Sequence, residues 1–233
     1  MVPRVIRRTS RSAAYVVSTM ALFLIADGGR TIAAASIISV TGNVGVIAAP
    51  LCTCEGSLES DSDVFAFIER QDVVLPADLR VNFVAPGLYD DRSDLPNPVP
   101  LLAAATAVDS YFLHADPSTS GITYAGSLTF DRDVLAVILG GVLLEESDGP
   151  LGAVGTDYPV DAFFSGRGLA LGGLDQIELS ADRRTIRFSF KTRQAIDQVR
   201  VVTATQEVPE PLAAILLTSG IAAVAARRRR MPR

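Results

Sequence analysis

The sequence predicts an all-β fold, a single β-sandwich of immunoglobulin-like or jelly-roll-like type over residues 36–205, set between two apolar, arginine-bearing ends. Three observations carry this. Short runs rich in Val, Ile, Phe and Thr recur about every ten residues, separated by Gly, Pro, Asp and Ser, as strands joined by turns do. Few windows hold the stripe of an amphipathic helix. The apolar residues that lift the mean hydropathy to +0.32 collect at the two termini.

In chain order the strands are Ile37 to Val40, Val44 to Ala48, Val64 to Arg70, Val73 to Leu75, Leu79 to Val84, Val108 to His114, Ile122 to Phe130, Val134 to Leu139, Leu169 to Leu171, Gln176 to Ser180, Thr185 to Lys191 and Gln198 to Ala204. Within Leu79 to Val84 and Ile186 to Lys191 apolar and polar residues largely alternate, so such strands should give one face to a core and the other to water. Leu101 to Ala107 reads instead as a short helical turn. The run Asp90 to Pro98 has the composition of an exposed loop, and Ser180-Ala181-Asp182-Arg183 that of a tight hairpin connection. About 170 residues can bury roughly 70% of their unfolded surface, so no disulfide framework is required. The sequence has no internal repeat at a fixed period and no low-complexity tract.

Charge divides the chain as hydropathy does. The 233 residues carry a formal charge of −5, yet residues 36–211 hold 11 basic and 25 acidic residues, a net of −14, and ten arginines lie outside them. A middle this acidic excludes nucleic acid as a partner, because binding to phosphates needs a basic face that displaces counterions.

Residues 1–35 have the form of a secretory signal peptide: Arg4, Arg7, Arg8 and Arg11, the apolar run Ala13 to Ala26, then Ala33-Ala34-Ala35-Ser36 with a cleavage site best placed after Ala35. The implied partner is the Sec export machinery. The pair Arg7-Arg8 invites a twin-arginine alternative, but no Phe-Leu-Lys-like continuation follows; an uncleaved N-terminal anchor is the other alternative.

At the C-terminus, Val208-Pro209-Glu210-Pro211 precedes the apolar run Leu212 to Ala226, followed at once by Arg227, Arg228, Arg229 and Arg230. As a helix, residues 212–226 would be about 22 Å long against a hydrocarbon core of about 30 Å, a marginal anchor. Arginines at both ends would stay cytoplasmic, leaving the segment between them across the membrane. Pro209 and Pro211 keep the preceding backbone extended, a form that a membrane-embedded processing enzyme could grip.

A Pro-Glu-Pro motif, a short apolar helix and an arginine cluster in this order resemble the PEP-CTERM sorting signal of Gram-negative bacteria; the likeness covers residues 206–233. It implies recognition of Val208, Pro209, Glu210 and Pro211 by an exosortase, with Arg227 to Arg230 as the membrane stop, in cells that make exopolysaccharide or biofilm matrix. The stretch Val108 to His114 with Asp116-Pro117, then Arg167-Gly168-Leu169, and Asp197 to Val201 also resemble segments of uncharacterised proteins with this signal, and imply no activity.

Between the ends, Cys52 and Cys54 form a Cys-Thr-Cys pair that export would place in an oxidising compartment. A bridge over one residue of extended strand needs a Cα spacing at the upper end of the workable range. A local disulfide, a pair bonding other chains and half of a metal site are the alternatives; a disulfide, local or intermolecular, is favoured, since one distant His cannot complete a zinc site. Cys52 lies too far from the signal's apolar run for a lipoprotein cysteine.

Any histidine-dependent triad must pass through His114, the single histidine. Ser110 and Phe112 would share its strand face, with Asp109, Tyr111 and Leu113 on the other. A Gly-x-Ser-x-Gly elbow is absent around Ser165, where Phe163 and Arg167 take the glycine positions, and Gly166 to Gly172 misses the dinucleotide spacing and reads as loop. His114 therefore reads as structural.

Of the acidic clusters, Asp61, Asp63, Asp90, Asp91 and Asp94 are weak calcium candidates without an Asp-x-Asp-x-Asp-Gly loop, and solvated charge is the plainer reading. No resident metal or cofactor is expected. The expectation is an exported, non-enzymatic protein, passing from an inner-membrane intermediate held by the helix 212–226 to the cell surface or matrix. There it would act structurally or as an interaction module. The alternative is a carbohydrate-binding or calcium-dependent adhesive module with exopolysaccharide as partner, disfavoured by the absence of Trp and the small number of Tyr. A surface hydrolase using His114 or a carboxylate pair is the third.

Overall fold

The computed structural model describes residues 36–160, 166–173, 175–192 and 195–205; the signal peptide expected over 1–35 and the sorting segment expected over 206–233 lie outside them. The fold is all-β: β1 (Ile37–Gly42), β2 (Val44–Val46), β3 (Val64–Val74), β4 (Leu79–Arg80), β5 (Gly87–Tyr89), β6 (Leu101–Leu102), β7 (Ala107–Ala115), β8 (Thr123–Phe130), β9 (Val134–Ile138), β10 (Gln176–Leu179), β11 (Thr185–Lys191) and β12 (Asp197–Ala204), with one α-helix, α1 (Gly141–Leu151), after β9. One five-stranded sheet has the order β1-β8-β11-β10-β5, a second β2-β3-β7-β12-β9, and β4 pairs only with β6. Apart from the parallel pair β2–β3, the pairings are antiparallel.

Both sheets feed one hydrophobic cluster. Alternate residues Tyr111, Leu113 and Ala115 of β7 and Val199 and Val201 of β12 meet Leu128 and Phe130 of β8 and Ile186, Phe188 and Phe190 of β11. Period-2 alternation thus places one face of each strand inward, as expected. Burying each of these large side chains contributes roughly 1.5–3 kcal/mol.

The expectation that the opposite face of Ile186 to Lys191 meets water holds in β11, whereas β7 and β12 of the second sheet, whose sequences do not alternate cleanly, are buried on both faces. The opposite face carries a second cluster in which Leu143, Leu144 and Leu151 of α1 cover Phe67, Phe112, Ile138 and Val202. The helix is a correction to a sequence reading that held few helical windows. Gly141, Gly149 and Pro150 all weaken the helical pattern, and Pro150 has no N–H to give the carbonyl four residues before it, so packing of Leu143, Leu144 and Leu151 rather than propensity holds the helix.

Further corrections are local. Leu101 to Ala107 is no helical turn: Leu101–Leu102 pairs with β4, and Ala105 takes φ 63° in the turn that follows. Val64 to Arg70 and Val73 to Leu75 merge into the single strand β3, its register shifted on both sides of Arg70, with Asp72 at φ 53° giving its N–H to Asp109. Leu79 to Val84 shortens to β4, with Phe83 making an isolated bridge to Val137, and in Leu169 to Leu171 no strand forms, Leu171 making an isolated bridge to Asp175. The hairpin Ser180 to Arg183 stands as read, closed by the Arg183 N–H on the Ser180 carbonyl at 2.9 Å.

Candidate functional site

A cavity of about 650 Å³ opens where β9 and β11 end and β10 and β12 begin. Its described lining includes Asn82, Arg92, Leu95, Leu139, Gly140, Val142, Arg167, Leu169, Leu171, Asp175, Lys191 and Asp197. That volume lies in the range of small-molecule sites.

The wall is fixed by backbone hydrogen bonds. Asn82 Oδ1 accepts the N–H groups of Leu139 at 2.8 Å and Gly140 at 3.0 Å, leaving the amide NH2 as the donor end. Asp175 accepts from Ala170 N–H at 2.7 Å and Lys191 N–H at 2.8 Å, which fastens the loop before β10 to the end of β11. Gly168 has φ +100°, and a Cβ there would stand 2.3 Å from the Leu139 carbonyl oxygen, so only glycine lets this loop lie against the end of β9.

Asp197 differs from these anchored groups. It is 6% exposed, and its Oδ2 has no hydrogen-bond partner. Burial first, and the nearby Asp175 second, push its carboxyl up to about 8. Tyr124 of β8, pushed up to about 12 chiefly by burial, also feels Asp197 among the neighbouring acids.

Arg167 joins the cavity wall to a buried polar layer beneath α1. Its guanidinium reaches both oxygens of Asp148, at 2.7 and 2.9 Å, the Pro159 carbonyl, and Gln198 Oε1 at 2.6 Å. Arg200 on β12 is fully buried and spends all five N–H donors: Glu69 is held from Nε at 2.6 Å and Nη2 at 2.7 Å, and the others go to Asp148, Ser147 and the Leu144 carbonyl. Glu69 is completed by the hydroxyls of Ser110 and Tyr158, each at 2.6 Å. A buried ion pair this complete avoids leaving a desolvated charge without a partner.

His114 is fully buried, with Nδ1 3.0 Å from Gln198 Nε2 and Nε2 3.8 Å from Asp116 Oδ2. Ser110 and Phe112 do share its face, as expected, but the Ser110 hydroxyl turns to Glu69 and forms no nucleophile-base pair with the imidazole. Gln198 also donates to the Thr53 carbonyl, tying the segment between the two cysteines to β12. Cys52 and Cys54 are bonded to each other, the local one of the alternatives, with a Cα spacing of 5.3 Å, shorter than two residues of extended strand span.

The acidic candidates are dispersed. Asp61 accepts from Ser118 and Thr119, and the Ser118 hydroxyl foremost holds it below the usual carboxylate range; Asp63 accepts from the Ser62 hydroxyl. Asp91 and Asp94 form a reciprocal cap on the 3-10 turn Arg92–Asp94. Asp90 and Asp91 also border a second depression with Gly172, Gly173 and Asp175. Among the described residues no three Asp, Glu, His or Cys come together as a metal site.

The sorting residues Val208 to Pro211 and Arg227 to Arg230 lie outside the described residues. No described helix is long and apolar enough to cross a membrane. Sequence reasoning missed Asp175, Asp197, Arg167 and Arg200 as site residues. The one signal among them is Asp197, a charge on the strand face that Val199 and Val201 turn to the core, whereas Arg200 falls on the opposite face of β12. No family model, curated protein or solved structure matches the chain.

Proposed function

We propose that the chain is an exported cell-surface or extracellular-matrix protein, sorted and trimmed at its C-terminus by an exosortase, with a structural or interaction role and no catalytic activity. The observation that carries this is the ordered composite of Pro209-Glu210-Pro211, the apolar run 212–226 and Arg227 to Arg230, paired with the arginine-led apolar segment of residues 1–35. Arginines at both ends favour a topology with the middle exported. The acidic middle suits a water-facing surface module, and two open sheets sharing one core support reading the exported part as a β-sandwich.

The second reading, a carbohydrate-binding or calcium-dependent adhesive module, gains its carbohydrate half from the cavity beside Asp175 and Asp197. Replacing Arg227 to Arg230 by Ala tests the sorting claim in the native host. Export should continue while tail removal stops; unchanged processing in that variant rejects the claim.

A further inference from the structure

We propose that the cavity between the ends of β9, β10, β11 and β12 binds one saccharide unit, with Asp175, Asp197 and Asn82 as its hydroxyl-reading groups. This deepens the interaction role given above and does not depend on the sorting step. Asp197 is the decisive group. A side chain 6% exposed with an unpartnered carboxyl oxygen is unusual, because buried polar atoms are normally paired. Asp197 stands in the wall of a cavity of about 650 Å³, room for a ligand of sugar size, with Oδ2 itself sealed from solvent.

The rest of the lining selects the chemistry. A simple cation would meet Arg92 and Lys191 on the cavity wall, and a simple anion would meet Asp175 beside Asp197. A hydroxyl group suits both, since it donates to a carboxylate and accepts from an ammonium, guanidinium or amide. Asp175 is already aimed by two backbone N–H groups, and Asn82 by two more, so these polar groups are preorganised and lose little freedom on binding. Leu95, Leu139, Leu169 and Leu171 supply the apolar surface against which the C–H face of a pyranose can lie. The burial that keeps Asp197 protonated near neutral pH gives it an O–H donor as well as an acceptor.

Val142 lines the same cavity and is 55% exposed, which places it at the rim, where a larger side chain is accommodated without disturbing the core. The test is saturation-transfer NMR on the full-length chain in mild detergent. The probes are glucose, galactose, mannose, N-acetylglucosamine and glucuronate, with calcium chloride alone as a control followed by thermal melting. At least one sugar should bind, tenfold or more weaker in Asp197→Ala, and not detectably in Val142→Trp, whose melting temperature should stay unchanged.

Silence across the sugar panel overturns the inference. So does binding within twofold of wild type in both variants, or a melting shift with calcium and none with sugar. A chain trimmed at its tail that binds no sugar refutes this inference alone, and a chain that binds sugar but keeps its tail refutes the sorting reading alone.

Discussion

Replacing Asp197 by Asn removes a proton site that the fold itself creates while keeping the side chain's shape. Burial and Asp175 raise the folded carboxyl to about 8, against about 4 in the unfolded chain. Between those values the folded state holds a proton that the unfolded state has released. The stabilising contribution of that proton is therefore complete below about pH 4 and is lost as pH rises toward 8. One proton corresponds to about 1.4 kcal/mol per pH unit, or about 2.7 kcal/mol between pH 5 and pH 7.

The Asp197→Asn chain has no such site, and groups common to both chains cancel in the comparison. Its stability relative to wild type should therefore rise by about 2.7 kcal/mol over that interval and level off above pH 8. Urea denaturation at pH 5, 6, 7 and 8, followed by tyrosine fluorescence because the chain has no Trp, reads the difference. A difference constant to within about 0.5 kcal/mol from pH 5 to pH 8 would refute the buried, proton-holding Asp197.

Three further perturbations follow from the same geometry. Arg200→Met strands Glu69 and part of Asp148 without their guanidinium, so stability should fall by about 3–5 kcal/mol, and the double variant with Glu69→Leu should recover part of that loss in the same urea assay. Gly168→Ala forces a Cβ into the Leu139 carbonyl at φ +100° and should lower the melting temperature well beyond the effect of Gly166→Ala, whose Cβ, among the described residues, would meet the Ala195 side chain at 3.3 Å. Reducing the Cys52–Cys54 bridge releases a loop with one intervening residue and should cost about 1.5 kcal/mol, measured as the shift in urea midpoint with and without dithiothreitol.

Strand positions were legible in the sequence wherever alternation was clean, as in Ile186 to Lys191, because a period of two has a single structural meaning once one face is apolar. Alternation says nothing about what covers the other face. The sequence therefore hid the second apolar layer, and with it α1, whose glycines and proline argue against a helix that tertiary packing on Phe67, Phe112 and Val202 stabilises.

The cavity was hidden for a different reason. Asp175, Asp197, Asn82 and Arg92 come from separate parts of the chain and meet only where strands end, so no local spacing marks them. Arg200 was nearer to legible: a charge flanked by Val199 and Val201, with Val202 following, is either an edge strand's solvent face or a buried ion pair, and its partner Glu69 is 131 residues away.

The most direct measurement for the central claim is the intact mass and C-terminal peptide of the protein recovered from membrane, surface and medium fractions of its native host. The account predicts a chain ending near Val208 to Pro211, with or without an added group, in the surface or medium fraction. A chain that still carries Leu212 to Arg233 in every fraction would contradict it.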